Sequence, residues 1–271
     1  MKTFGSSPVI IIGAHRSGTT ATARALRLLG LQIGQQLDSH DESRALQQVH
    51  EDYLRRFGAA WYNPAPFLAA IKSTKEKDLC VNYLRDRIEP TLAVFGYKPG
   101  LTGRWQRNRI RDGEPWGWKE PRTTLFADCW LELFAHAKFL HVVRNPLAVA
   151  RSIQKRELEF QAKGDAPSGR VQDFDYCVDL ALTYVEAGEA LADRAAHYER
   201  VRFEDIQADP ARQLRMVAGF CGLPFTDRQM QRAAKTIRPM RPDATEEINA
   251  RRSILAKYPL AAKLGYSAEA P

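Results

Sequence analysis

Apolar residues run unbroken from Val9 to Ile12 and then stop at Gly13. A β-branched run this short, ended by glycine, predicts a buried strand rather than a helix. From Thr20 to Leu29 the apolar positions recur at helical spacing, and Gly30 closes the segment. The same spacing returns at Leu46, Val49, Tyr53, Leu54 and Phe57, predicting a helix over 42–57 that ends at Gly58. Another helix is expected over 75–95, with Leu79, Tyr83, Leu84, Ile88 and Leu92 as its apolar face. Residues 96–115, rich in Gly, Pro and Arg, read as a loop, and Trp116 to Lys119 as a short strand stopped by Pro121.

Beyond it, 124–136 has a helical pattern and Lys138 to Val143 is a second buried strand. Asn145-Pro146 is a helix start, with Pro at the first helical position. A flexible loop is expected over 159–170, a long helix over 173–196 and a further strand from Glu199 to Phe203. Helices follow over 210–221 and 227–236, and the tail from Arg238 carries no clear pattern. Strands alternating with helices predict an α/β fold, a central parallel sheet in a three-layer sandwich. The chain reads as one domain over 1–271, with a mainly helical region at 34–115 and a C-terminal tail at 237–271.

No apolar run approaches the roughly 18 residues of a membrane span, and the N-terminal apolar segment is too short for a secretory signal. A cytoplasmic protein is expected. Cys80, Cys129, Cys177 and Cys221 are scattered, which argues for reduced thiols and against a zinc site; no metal is implied. The net charge of +8 points to an anionic partner. Part of the excess is concentrated in Arg104, Arg107, Arg109 and Arg111. No zinc-finger or RNA-recognition signature accompanies it, so nucleic acid is not the expected partner.

The chemistry concentrates where the first strand ends. Gly13, Ala14, His15, Arg16, Ser17, Gly18, Thr19 and Thr20 link that strand to a helix N-terminus. Backbone N–H groups converge there with the positive end of the helix dipole behind them, so the loop is suited to an anion. The Gly13–Gly18 spacing fits a nucleotide P-loop, but Thr19 stands where that motif needs Lys. Arg144 repeats the design at the C-terminal end of the second strand, where open α/β sheets bind ligands. Ser152 follows it on the next helix.

Arg16-Ser-Gly-Thr-Thr resembles the 5′-phosphosulfate loop of sulfotransferases that use 3′-phosphoadenosine-5′-phosphosulfate (PAPS). Arg144-Asn-Pro with Ser152 resembles their 3′-phosphate site, and Val201 to Phe225 their strand and helix beside the adenine, with Phe203 in place of the usual Tyr. Gly-Ala-His-Arg-Ser-Gly-Thr-Thr and Trp-Lys-Glu-Pro-Arg-Thr-Thr look most like a bacterial, glycan- or metabolite-directed branch. The resemblance implies that His15, Arg16, Ser17, Gly18, Thr19, Thr20, Arg144, Ser152 and Phe203 bind the donor. It implies that Lys119, like Arg16, assists the transfer, and that the acceptor is a hydroxyl or amine of a glycan, lipid or metabolite; the Arg104–Arg111 cluster hints at an anionic one.

Three residues could serve as general base: Glu42, which related sequences place similarly, then His40, then Glu120. Arg122 could hold donor or acceptor, Trp116 and Trp118 could line the acceptor pocket, and Arg251-Arg252 could fold over the 3′-phosphate. Two other readings stand: a P-loop kinase with a degenerate loop, and an inactive anion- or glycan-binding module on the same fold.

Overall fold

A computed structural model describes residues 7–34, 37–94, 114–162, 164 and 169–267, with the side chains of 89–94 and 243 left aside. Four parallel strands form the sheet in the order β2-β1-β3-β4: β1 Val9–Ile12, β2 Gly117–Lys119, β3 Lys138–Val143 and β4 His197–Arg202. The pleat sends alternate residues to opposite faces. Ile10, Ile12, Phe139 and Val143 enter one core, while Val9, Ile11, Leu140 and Val142 enter the other. Covered on both faces, the sheet has the α/β sandwich architecture that the alternation predicts.

The first core is aromatic, with Trp116, Trp118, Trp130 and Phe126 buried under α5 Ala127–Leu133, α6 Pro146–Gln161 and α7 Phe174–Glu189. The second packs α1 Thr19–Leu28 against α9 Pro210–Cys221 and α10 Asp227–Ala234. β2 lies so close to β1 that a Cβ at Gly117 would fall 1.8 Å from the Val9 carbonyl oxygen, so only glycine fits. Asn145 caps α6 by accepting from the Leu147 N–H at 2.9 Å, with Pro146 at the first turn.

Between β1 and β2 lie α2 Arg44–Arg55, α3 Ala65–Ala70 and α4 Thr74–Val94. The six-residue α3 was not expected. On α4 the buried face is Cys80, Val81, Leu84 and Ile88, and Leu79 is 41% exposed, so the expected face is displaced around the helix. The expected helix over 124–136 is a 3₁₀ segment, Pro121–Phe126, followed by the shorter α5. β4 begins and ends earlier than expected, and Phe203 opens α8 Phe203–Ala208. α6 runs into the expected loop as far as Gln161, and part of that loop, together with the arginines at 104–111, lies outside the described residues. The tail is helical, with α11 Pro242–Ala250 and α12 Pro259–Lys263. No helix among the described residues is long and apolar enough to cross a membrane.

Candidate active site

The C-terminal end of β1 opens into a cleft of about 1170 Å³. Its floor is the loop from Gly13 to Gly18, in which Arg16 (φ 70°) and Gly18 (φ 100°) adopt left-handed backbone. A Cβ at Gly18 would lie 2.3 Å from the Phe203 ring, so that ring packs directly against the loop. No side chain caps the N-terminus of α1, which leaves its first-turn N–H groups for an anion. Thr124, which the sequence reading passed over, secures the loop's start: its hydroxyl accepts from the Gly13 N–H at 2.8 Å and donates to the Gly13 carbonyl at 3.2 Å.

The two basic motifs meet here. Arg16 Nε donates to Ser152 Oγ at 3.0 Å, and Arg144 Nη1 donates to the Arg16 carbonyl at 3.0 Å. The Arg144 guanidinium lies 5.6 Å from the Phe203 ring centre. Burial lowers the pKa of both Arg16 and Arg144. Around the cleft, the buried Ser17 Oγ, Arg144 Nε, His15 Nε2 and Arg122 Nε have no hydrogen-bond partner among the described residues. Such groups are costly unless a ligand engages them.

On the other side of the loop, Lys119 Nζ donates to Thr20 Oγ1 at 3.2 Å, to Glu42 Oε1 at 3.0 Å and to the His40 carbonyl. Burial lowers its ammonium pKa, and Glu42 partly offsets that effect. Glu42 precedes α2 and is set by its neighbours. Asp38 Oδ1 accepts from the Glu42 and His40 N–H groups at 2.9 and 2.8 Å. Gln47 Nε2 donates to Glu42 Oε2 at 2.8 Å and to Asp38 Oδ2 at 3.0 Å, a neutral bridge between two carboxylates. Asp41 is gripped by Arg24 and Arg27 of α1, which ties this turn to the helix that follows the Gly13–Gly18 loop.

The base candidates now separate by position. Glu42 touches Lys119. The His40 ring is half exposed, 3.2 Å from Ser39 Oγ and 3.9 Å from Asp38 Oδ2, so His40 meets Lys119 through its carbonyl and not its ring. Glu120 is fully buried, with Oε1 accepting from Arg122 Nη1 at 2.6 Å. Its Oε2 accepts from His50 Nδ1 at 2.6 Å, while Trp130 Nε1 donates to His50 Nε2 at 3.1 Å. Burial alone would raise the Glu120 pKa, but Arg122 and His50 hold it far below the usual carboxylate range. Glu120 therefore anchors Arg122, whose Nη2 also reaches Glu51 at 2.7 Å.

Other expectations need correction. Trp116 and Trp118 are fully buried in the aromatic core and do not line this cleft, because the helices packed over β2 and the residue before it cover both. The tryptophan on the cleft wall is Trp61. His15 does line the cleft, as expected of a donor-contacting residue, with its ring 4.7 Å from that of Trp61 and 5.8 Å from that of Tyr184. Burial pushes its pKa well below the ordinary value, and Arg122 adds to that shift. The Arg251 guanidinium stacks on Phe174 at 4.2 Å, and the late basic residues on the cleft wall are Lys235 and Arg238.

The sequence profile of the sulfotransferase family matches residues 8–227, which takes in the loop, Lys119, Arg144 and Ser152. The chain belongs to the sulfotransferase family. That membership sets aside the kinase reading of the loop. Solved sulfotransferases share the fold. The sulfotransferase domain from the curacin biosynthetic pathway is 16% identical, with a TM-score of 0.52 over 98% of this chain and 99% of that one. Sulfotransferase STF9 from Mycobacterium avium is 13% identical, with a TM-score of 0.51 over 94% of this chain and 76% of that one. No curated protein sequence matches the chain. Among the described residues, no group of three or more His, Cys, Asp or Glu is arranged to hold a metal.

Proposed function

We propose that this sulfotransferase uses PAPS as donor and sulfates a hydroxyl or amine acceptor, with Glu42 as general base. The observation that carries this reading is Lys119 Nζ, which joins Thr20 on the anion loop to the Glu42 carboxylate. The cleft fits a nucleotide with two phosphate positions. Ser17, Thr19, Thr20 and the N-terminus of α1 would hold the 5′-phosphosulfate. Arg144 and Ser152 would hold the 3′-phosphate, the unpartnered Arg144 Nε finding its acceptor there. Phe203 presents a ring to the cleft without a hydroxyl, so it can stack but not hydrogen-bond.

PAPS supplies the sulfuryl group: its S–O bond to the 5′-phosphate breaks, the electron pair leaves with that oxygen, and the acceptor oxygen bonds sulfur. Lys119 and Arg16 place positive charge where negative charge develops on the bridging oxygen, which lowers the barrier without a metal. Glu42 takes the acceptor proton onto a carboxylate oxygen. Gln47 and Lys119 fix the orientation of that carboxylate before the acceptor arrives.

Release of 3′,5′-diphosphoadenosine (PAP) from PAPS in the presence of pooled hydroxylated acceptors tests the reading. Lys119→Met should lower the turnover of the folded protein by about 10²–10³-fold, as loss of one preorganised donor does, and should also lower the melting temperature, because Glu42 loses its buried partner. A variant with near-normal turnover would remove Lys119 from the reaction. No sulfate transfer by the wild type to any acceptor, with PAP still bound, would favour the inactive binding module.

A further inference from the structure

Ser152, Arg156 and Phe160 stand four residues apart on α6 and all line the cleft. This spacing sets them along one helix face, each about 5–6 Å beyond the last. Ser152 meets Arg16 at the donor loop. The next turn carries Arg156, held in an unusual way. Its Nε and Nη2 both donate to Glu157 Oε1, at 3.1 and 2.9 Å, and the Glu157 side chain is only 8% exposed. Its guanidinium lies 4.6 Å from the Trp61 ring centre and 6.0 Å from that of Phe160. Three of its five N–H bonds meet no acceptor among the described residues.

The facing wall is equally fixed. Tyr184 of α7 donates its hydroxyl to the Trp61 carbonyl at 2.9 Å, and Tyr176 donates to the Tyr62 carbonyl at 2.6 Å. Trp61 in turn packs against His15, whose buried Nε2 has no partner among the described residues. An indole face and an oriented guanidinium thus lie one helical turn from the donor loop. A guanidinium fixed by a buried carboxylate and stacked on an aromatic ring recognises planar anions with little loss of entropy.

We propose that Trp61, Arg156 and Phe160 form the acceptor subsite, and that the acceptor is a hydroxylated ring compound bearing a carboxylate. The ring lies against Trp61 and the carboxylate takes the free N–H groups of Arg156. Its hydroxyl is then delivered to Glu42, which lines the same cleft. This proposal rests on the donor reading above.

The test is calorimetric titration of the PAP-loaded protein with matched pairs: para-hydroxyphenylpropionate against para-propylphenol, and glucuronate against glucose. In at least one pair the carboxylate should bind about tenfold tighter or more, the range of a charge-assisted hydrogen bond. The pair that shows this distinguishes an aromatic from a sugar acceptor. Arg156→Met, which keeps the packing on Trp61, should erase the preference without loss of PAP binding, and Arg156→Lys should restore part of it. Equal binding within both pairs, no binding of any member, or a preference that survives Arg156→Met would overturn the subsite. Failure of the wild type to bind PAP would instead overturn the donor reading.

Discussion

Glu42 is useful as a base only if its carboxylate is both held and accessible. Lys119 holds Oε1 and Gln47 holds Oε2, while Asp38 fixes Gln47 and the Glu42 backbone together. A glutamine suits the bridge because its amide donates to two carboxylates without adding charge. Glu42→Gln removes the basic oxygen but keeps the shape. Turnover should fall by about 10²-fold or more, with PAP affinity unchanged by calorimetry; a near-normal rate would pass the proton to another group. The sequence placed Glu42 among three candidates but could not rank them by contact. What separates them is tertiary: Glu120 turns into the interior onto His50 and Arg122, and His40 contributes a carbonyl rather than a ring. Asp38 and Gln47 left no signal, since their roles depend on a turn that local spacing does not encode.

At the scale of elements, the strand–loop–helix unit was legible because each part has a local cause. β-branched residues make β1, and Gly18 supplies the left-handed turn that opens α1. Phe203 was read as a strand residue beside the adenine; at the start of α8 it also packs against Gly18. Gly18→Ala therefore meets two penalties, roughly 1–2 kcal/mol for left-handed backbone and overlap with the Phe203 ring. The variant should melt several degrees lower and bind PAP at least tenfold more weakly by calorimetry. Unaltered PAP affinity would mean that the loop's shape does not govern donor binding. Less legible elements had weak or misleading patterns. α3 is only six residues long, and the apolar Leu79 faces solvent on α4. Trp116 and Trp118 looked available for a ligand, yet the helices over β2 bury them completely. Trp61, in the short connection between α2 and α3 to which no pattern drew notice, takes the wall position instead.

For the whole molecule, the parallel sheet gathers basic groups at one edge. Arg16, Arg144 and Lys119 come from three separate segments and converge because β1, β3 and β2 are neighbours. Net charge alone indicated an anionic partner; the sheet order shows where the positive groups meet. The proposed donor site has two phosphate positions. It is tested most directly by titrating the protein with PAP, with adenosine 5′-phosphate, and with ATP plus Mg²⁺. If Arg144 and Ser152 hold the 3′-phosphate as proposed, its loss would forfeit about 1.5–3 kcal/mol for each charge-assisted bond. PAP should therefore bind at least tenfold more tightly than either other nucleotide, and Arg144→Ala should remove most of that advantage. Affinities for PAP no greater than for adenosine 5′-phosphate or Mg²⁺-ATP would contradict the account.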